Sequence, residues 1–299
     1  MILKKIQIIL VLILFSFNLQ ADDVDGLSEK IYTSRLDIQK DACDNGNMEG
    51  CLQAALSYAR RDNVSKDDIS MIKYANLACD GGNANGCNLL GLFYLGDSAS
   101  HNLDLSIKYL SKGCENRSAF ACGLLGKIYE NGYKDIVIDG VRAVSYYEKA
   151  CNIGDKNQSV CMLAGLRHHE GKIVPRDYNK AYEYYKKDIA INDNTAGSYL
   201  NIFEIDLVNN RAFSTILTKE FKKKFGTKAS AMMYLEMLEI FRLTAQGKNS
   251  NISKWQKTYK AQKLDDWDFT SIDEWIKENK NEKIKIKLQN LRKIFKEEK

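Results

Sequence analysis

Four cysteine pairs that return at a regular interval limit what this chain can fold into more than any other feature. They stand as Cys43/Cys51, Cys79/Cys87, Cys114/Cys122 and Cys151/Cys161, three pairs with seven intervening residues and the last with nine. The second cysteines recur every 35 to 39 residues and carry a common phrase with them. Four residues after them stand Ala55, Gly91, Gly126 and Gly165; seven residues after stand Tyr58, Tyr94, Tyr129 and His168. Positions 0, 4 and 7 share one face of a helix, so the phrase predicts a buried seam whose small residue lets a second helix approach. Gly96, Gly132 and Gly171 follow where a glycine would close the helix. A second helix places Tyr74, Tyr109 and Tyr146 five residues before a cysteine, and these tyrosines are read as repeat core. Paired helices with this period make a solenoid, in which each unit buries its apolar face against its neighbours.

The combination carries a family resemblance. Leu124-Leu-Gly-Lys-Ile-Tyr-Glu-Asn-Gly132, followed by Ala143-Val-Ser-Tyr-Tyr-Glu-Lys-Ala-Cys151, resembles the Sel1-like repeat, a relative of the tetratricopeptide repeat. The paired cysteines make the chain similar to the Helicobacter cysteine-rich protein family, exported Sel1-like proteins with one disulfide per repeat. The resemblance covers roughly residues 36 to 195. It implies an all-α fold: a right-handed α/α solenoid of about four repeats over 22–195, then a C-terminal helical, basic segment over 196–299. It also implies disulfides within the pairs, in the order given. A turn such as Asp80-Gly-Gly-Asn-Ala-Asn-Gly86 brings the end of one helix and the start of the next within disulfide reach. Closing so short a loop stabilises by about 2–3 kcal/mol in the chain-entropy model.

Residues 1–21 read as a signal peptide: Lys4 and Lys5, an apolar run from Ile8 to Phe17, and a small residue, Ala21, before Asp22. No later stretch is long and apolar enough to cross a membrane, so the expected location is periplasmic or secreted, where cysteines pair. Charge is uneven. Residues 22–193 hold 21 Lys/Arg against 25 Asp/Glu, and residues 194–299 hold 21 against 14. In an exported chain this excess does not point to nucleic acid; cell-wall material or an anionic surface is the corresponding expectation. Trp255, Trp267 and Trp275 all fall in the basic segment and suggest an aromatic core there, which could cap the open end of the solenoid. The helices expected there are Ala196 to Val208, Phe213 to Phe225, Ala229 to Ala245, Ser253 to Lys263, Ser271 to Asn279 and Glu282 to Glu298. Thr270 or Ser271 is the expected cap of the fifth.

Residues that could carry chemistry are few. Ser70-Met-Ile-Lys73 fits the S-x-x-K pattern of serine β-lactamases, without the S-D-N or K-T-G companions. The cysteine-rich family is described as binding penicillins, with slow β-lactam hydrolysis in some members, and that activity maps onto no residue here. His168 and His169 are adjacent and so face different sides of a helix, which a chelating pair cannot do; His168 takes a tyrosine place in the repeat. His101 stands alone. Catalytic residues, metal ligands and cofactors are therefore all read as none. Asp155-Lys-Asn157-Gln-Ser159 matches an extended bacterial glycosylation sequon, making Asn157 a candidate glycan site.

The expected function is binding of a protein or peptide in a groove of the solenoid, with weak β-lactam hydrolysis as the alternative that the resemblance implies. The groove is expected at first-helix positions that differ between repeats: Leu56, Leu92, Lys127 and Leu166, with Leu52, Asn88, Gly123 and Met162 beside them.

Overall fold

The structure, a computed structural model, describes residues 21–59, 67–96, 101–133, 136–154, 159–192, 195–259 and 267–297, with side chains from Thr33 to Phe295. The signal peptide before Ala21 and the candidate glycan site Asn157 lie outside the described residues. The described residues form helices joined by short turns, with one isolated β-bridge between Tyr133 and Ile136. They fall into two compact units, up to Ala121 and from Cys122 onward.

The first unit holds α1 (Ala21–Asp44), α2 (Met48–Ala59), α3 (Asp68–Asp80), α4 (Ala84–Leu95) and α5 (Leu103–Glu115). Each packs on the next. The turns between repeats are very short, because Gly46 and Gly82 take positive φ there. Asn47 and Asn83 then accept hydrogen bonds from the first backbone N–H groups of α2 and α4. Across these turns Cys43 bonds Cys51 and Cys79 bonds Cys87, with Cα atoms 4.5 and 4.7 Å apart. The residue before each cysteine makes the approach possible. A Cβ on Gly50 would lie 2.7 Å from that of Ala42, and one on Gly86 would lie 2.7 Å from that of Ala78. Ala-Cys facing Gly-Cys is thus the steric signature of these two stapled junctions.

The division between units falls within α6 (Ala119–Asn131). The second unit continues with α7 (Gly140–Ile153), α8 (Val160–Glu170), α9 (Tyr178–Ile191) and α10 (Ala196–Val208). Cys151 on α7 bonds Cys161 on α8, Cα atoms 4.6 Å apart, and Cys114 and Cys122 are disulfide-bonded too. No cysteine is free. The glycines four residues after the second cysteines do what their size suggests. A Cβ on Gly126 would stand 2.6 Å from the ring of Tyr147, and one on Gly165 2.8 Å from the ring of Tyr185, both rings fully buried. In the first unit Gly91 receives Leu110 in the same way.

The chain then leaves the stapled pattern. At the α9–α10 junction, Ile189 and Tyr199 occupy the places of the cysteine pair and Asp188 and Ser198 the places of the small residues before it. Both polar residues are fully buried. The Ser198 hydroxyl donates to Asp188 Oδ2 at 2.6 Å, Asn192 Nδ2 donates to Oδ1 at 2.7 Å, and the Thr195 hydroxyl donates to Ser198 at 3.1 Å. A saturated polar cluster stands where the other junctions have apolar or small residues beside the sulfur.

Beyond α10 come α11 (Thr215–Phe225), α12 (Ala229–Ala245), α13 (Ile252–Thr258), α14 (Thr270–Glu278) and α15 (Glu282–Glu297). They enclose a conventional core with α10: Tyr199, Phe203, Phe221, Phe225, Phe241, Trp255 and Phe295, with Trp275 at its edge and Trp267 packed against it. Trp255 Nε1 donates to the Met233 carbonyl at 3.1 Å and Trp275 Nε1 to Asn210 at 3.3 Å. α14 is tied to the loop before α9 by Lys172 with Asp268 at 3.1 Å and by Arg176 with Glu274. Two expectations change. Gly96 closes α4 in an extended conformation, whereas Gly132 and Gly171 are left-handed. The N-cap position of α14 is Phe269, not Ser271 or Thr270, and the N–H of Thr270 is met from one residue further back, by Asp268 Oδ1 at 2.9 Å.

Candidate binding surface

Each repeat carries a parallel aromatic pair, built from the seventh residue after its second cysteine and the tyrosine of its second helix. In the first unit Tyr58 stacks on Tyr74 and Tyr94 on Tyr109, ring centroids 5.7 and 5.8 Å apart and planes within 10° of parallel. In the second unit Tyr129 stacks on Tyr146 at 5.7 Å and His168 on Tyr184 at 6.0 Å. The seam is therefore not uniformly buried: Tyr58, Tyr94, Tyr109, Tyr146 and Tyr184 are half-exposed, while Tyr74, Tyr129 and His168 are covered. A tyrosine packs its ring but keeps a hydroxyl that must be satisfied, which holds the pair at the rim.

A cation stands over each pair. Lys73 Nζ lies 5.2 Å from the centroid of Tyr74, and Lys108 Nζ lies 5.9 Å from that of Tyr109. In the second unit Arg142 lies 4.7 Å from the ring of Tyr129 and Lys187 5.2 Å from that of Tyr184. Hydroxyls tie one repeat to the next. Tyr109 donates to Asn76 at 2.8 Å, and the Tyr184 hydroxyl meets Glu148, which also holds His168 Nε2 at 2.9 Å. Burial, then Glu148, pushes the Tyr184 phenol up to about 12, so it remains a donor. Burial first and Tyr109 second raise Tyr94 as well.

The singled-out residues fall as follows. Leu92 and Lys127 are exposed; Leu56 and Leu166 are half-buried, and Leu56 packs against the core of the first unit. Leu52 and Gly123 are buried, Asn88 and Met162 half-buried. Ser70 belongs to the start of α3: its hydroxyl donates to Asp67 Oδ2 at 2.6 Å, and its N–H to Oδ1 at 2.9 Å. Lys73 is turned to Tyr74, so the S-x-x-K residues form a cap and a cation–ring contact rather than a nucleophile and its base. His169 is buried against the Tyr185 hydroxyl at 3.2 Å and edge-on to Tyr178. His101 Nδ1 is 3.0 Å from the Gly96 carbonyl. Among the described residues no three His, Cys, Asp or Glu side chains are placed to hold a metal, and no helix is long and apolar enough to cross a membrane.

Sequence reasoning took the tyrosines as core and missed their cations, although Lys73-Tyr74 and Lys108-Tyr109 are adjacent in the chain. It also missed the caps of the second helices. Asp67, Asn102, Asp139 and Asp177 each accept a backbone N–H of the following turn.

No curated protein matches the chain. Among solved structures, a protective antigen of uropathogenic Escherichia coli displaying an SLR fold is similar over 86% of this chain, with TM-score 0.61 and 17% identity. The match covers 55% of that antigen, so this chain spans about half its length. A Sel1 repeat protein from Oxalobacter formigenes is similar over 80% of this chain and 74% of its own, with TM-score 0.57 and 15% identity. Helicobacter pylori cysteine rich protein B is 30% identical over 45% of this chain and 94% of its own, with TM-score 0.35. The first two place the fold among Sel1-type solenoids. Residues 84–118, 119–155 and 158–187 match the Sel1 repeat model, and the chain is a Sel1 repeat protein.

Proposed function

We propose that the chain is an exported binding scaffold that holds a protein or peptide partner on the aromatic–cation faces of its repeats. The observation that carries this reading is the recurrence, in every stapled repeat, of a parallel ring pair with a cation over it and at least one of its rings half-exposed. Rings held by stacking lose little freedom on binding, and tyrosine with a cation beside it suits a partner that alternates apolar and acidic side chains. Leu92 and Lys127 are the exposed positions among the expected groove residues, each two residues before a ring of such a pair, Tyr94 and Tyr129. Eight paired cysteines and the amino-terminal apolar run support the periplasm or the exterior as its place of work.

A photo-crosslinking residue at Leu92 or Lys127, in the oxidised chain expressed in its own cell envelope, tests the reading. The expected result is one discrete crosslinked partner at both positions, lost when Tyr94 and Tyr109 are replaced by alanine, and absent with the probe at Asp104 on the exposed side of α5. Crosslinks of equal pattern at all three positions would overturn it.

A further inference from the structure

The basic C-terminal segment contains a pocket that the repeat scaffold does not use. α11, the loop before it and the middle of α12 wall a cavity of about 650 Å3, a size usual for a small-molecule site. Its floor is apolar: Phe213, which packs on Phe203 at 5.2 Å, and the buried Leu235. Its rim is one face of α11, where Thr215, Thr218, Lys219 and Lys222 recur at helical spacing. The two acids in the wall are already engaged. Glu239 is held by the Arg242 guanidinium, which itself lies over the ring of Phe213 at 5.4 Å, and Glu236 takes the hydroxyl of Tyr259. Lys219 and Lys222 are exposed and form no ion pair with a described residue. The cavity thus presents an apolar floor, an internally neutralised wall and two unpaired cations on a single edge.

We infer that this pocket binds a small amphipathic carboxylate, an aliphatic or aromatic acid whose tail lies on Phe213 and Leu235 and whose head meets Lys219 and Lys222. A neutral molecule of the same shape would gain the floor and not the edge, and a short anion the edge and not the floor. The site differs from the aromatic–cation faces in its residues and in its independence of the disulfides.

Calorimetric titration of the full oxidised chain with butanoate, hexanoate and octanoate, beside 1-octanol, tests it. Affinity should rise about fourfold per added methylene, octanol should bind at least tenfold more weakly than octanoate, and added salt should weaken the acids only. Lys219→Ala/Lys222→Ala alters exposed positions, so the fold persists; it should cost octanoate about tenfold and leave octanol unchanged. Absence of saturable octanoate binding, equal affinity for acid and alcohol, or unchanged octanoate binding in the double variant would each overturn the assignment.

Discussion

Two neighbouring junctions of the second unit solve one packing problem by different chemistry. Between α7 and α8, Cys151 and Cys161 are bonded, and the preceding Ala150 and Val160 are buried and apolar. Between α9 and α10, at the same ten-residue offset, Ile189 and Tyr199 replace sulfur, and Asp188 and Ser198 replace the apolar pair. The first junction is fixed by a covalent loop, which acts by restricting the unfolded chain. The second is fixed by a buried carboxylate whose oxygens are both met by donors, which acts through the cost of leaving any one member unpaired. The difference coincides with a change in what lies beyond. A stapled repeat has only its neighbours to pack on, whereas α10 faces the aromatic core of α11 to α15. Sulfur serves where the core is shared only between neighbouring repeats, and the polar cluster suffices where the helix also packs on the larger aromatic core.

The largest expected effect is reduction. Each staple contributes about 2–3 kcal/mol against a total of about 5–15 kcal/mol, so thermal unfolding followed by circular dichroism should show the repeats melting far earlier in reductant. Equal melting with and without reductant, in protein whose thiols are all protected from titration, would break the comparison. Next in size come the single junctions. Cys151→Ser/Cys161→Ser should cost about 2–4 kcal/mol, and Asp188→Ala about 2–3 kcal/mol, because Ser198 and Asn192 are left unpaired in a dry site. Denaturant melts should find the Asp188 cost unchanged by reductant and Asp188→Asn milder.

A smaller effect sharpens the steric part. Gly165→Ala pushes a methyl into the ring of Tyr185 and should cost about 1–3 kcal/mol, whereas the same change at Gly154, where nothing lies near the new Cβ, should cost only its positive-φ strain.

How much of this was legible follows from what repeats. The cysteine pairs, the small residue four places on and the tyrosine seven places on declare themselves because each recurs in a fixed register. The limits Ala196–Val208 and Ala229–Ala245 were read directly, since turn-forming residues flank both helices, Asn194 and Asn209-Asn210 about the first and Gly226 and Gly247 about the second. The Asp188–Ser198 cluster was not legible. A carboxylate and a hydroxyl ten residues apart read as surface, and only the stapled junctions reveal that the two positions face each other. The cations over the rings were legible in part, and the α11–α12 pocket was not, because its floor and rim meet only through tertiary packing.

The smallest expected effect concerns pH. Asp206 stands where the stapled repeats carry tyrosine or histidine, and burial pushes its carboxyl up to about 6, with Arg211 pulling the other way. The native chain then holds a proton that the unfolded chain has lost between about pH 4 and 6. Stability should fall as pH rises through that window. Asp206→Asn should flatten this slope and raise Tm at pH 7; parallel pH profiles for the two proteins would contradict the assignment.

The most direct test of the central claim is hydrogen exchange, resolved by segment, on oxidised and reduced full-length protein. The account predicts that reduction strips protection from α2 to α8, while amides of α10 and α12 keep theirs. Loss of protection spread evenly over the chain, or first in α10 and α12, would contradict it.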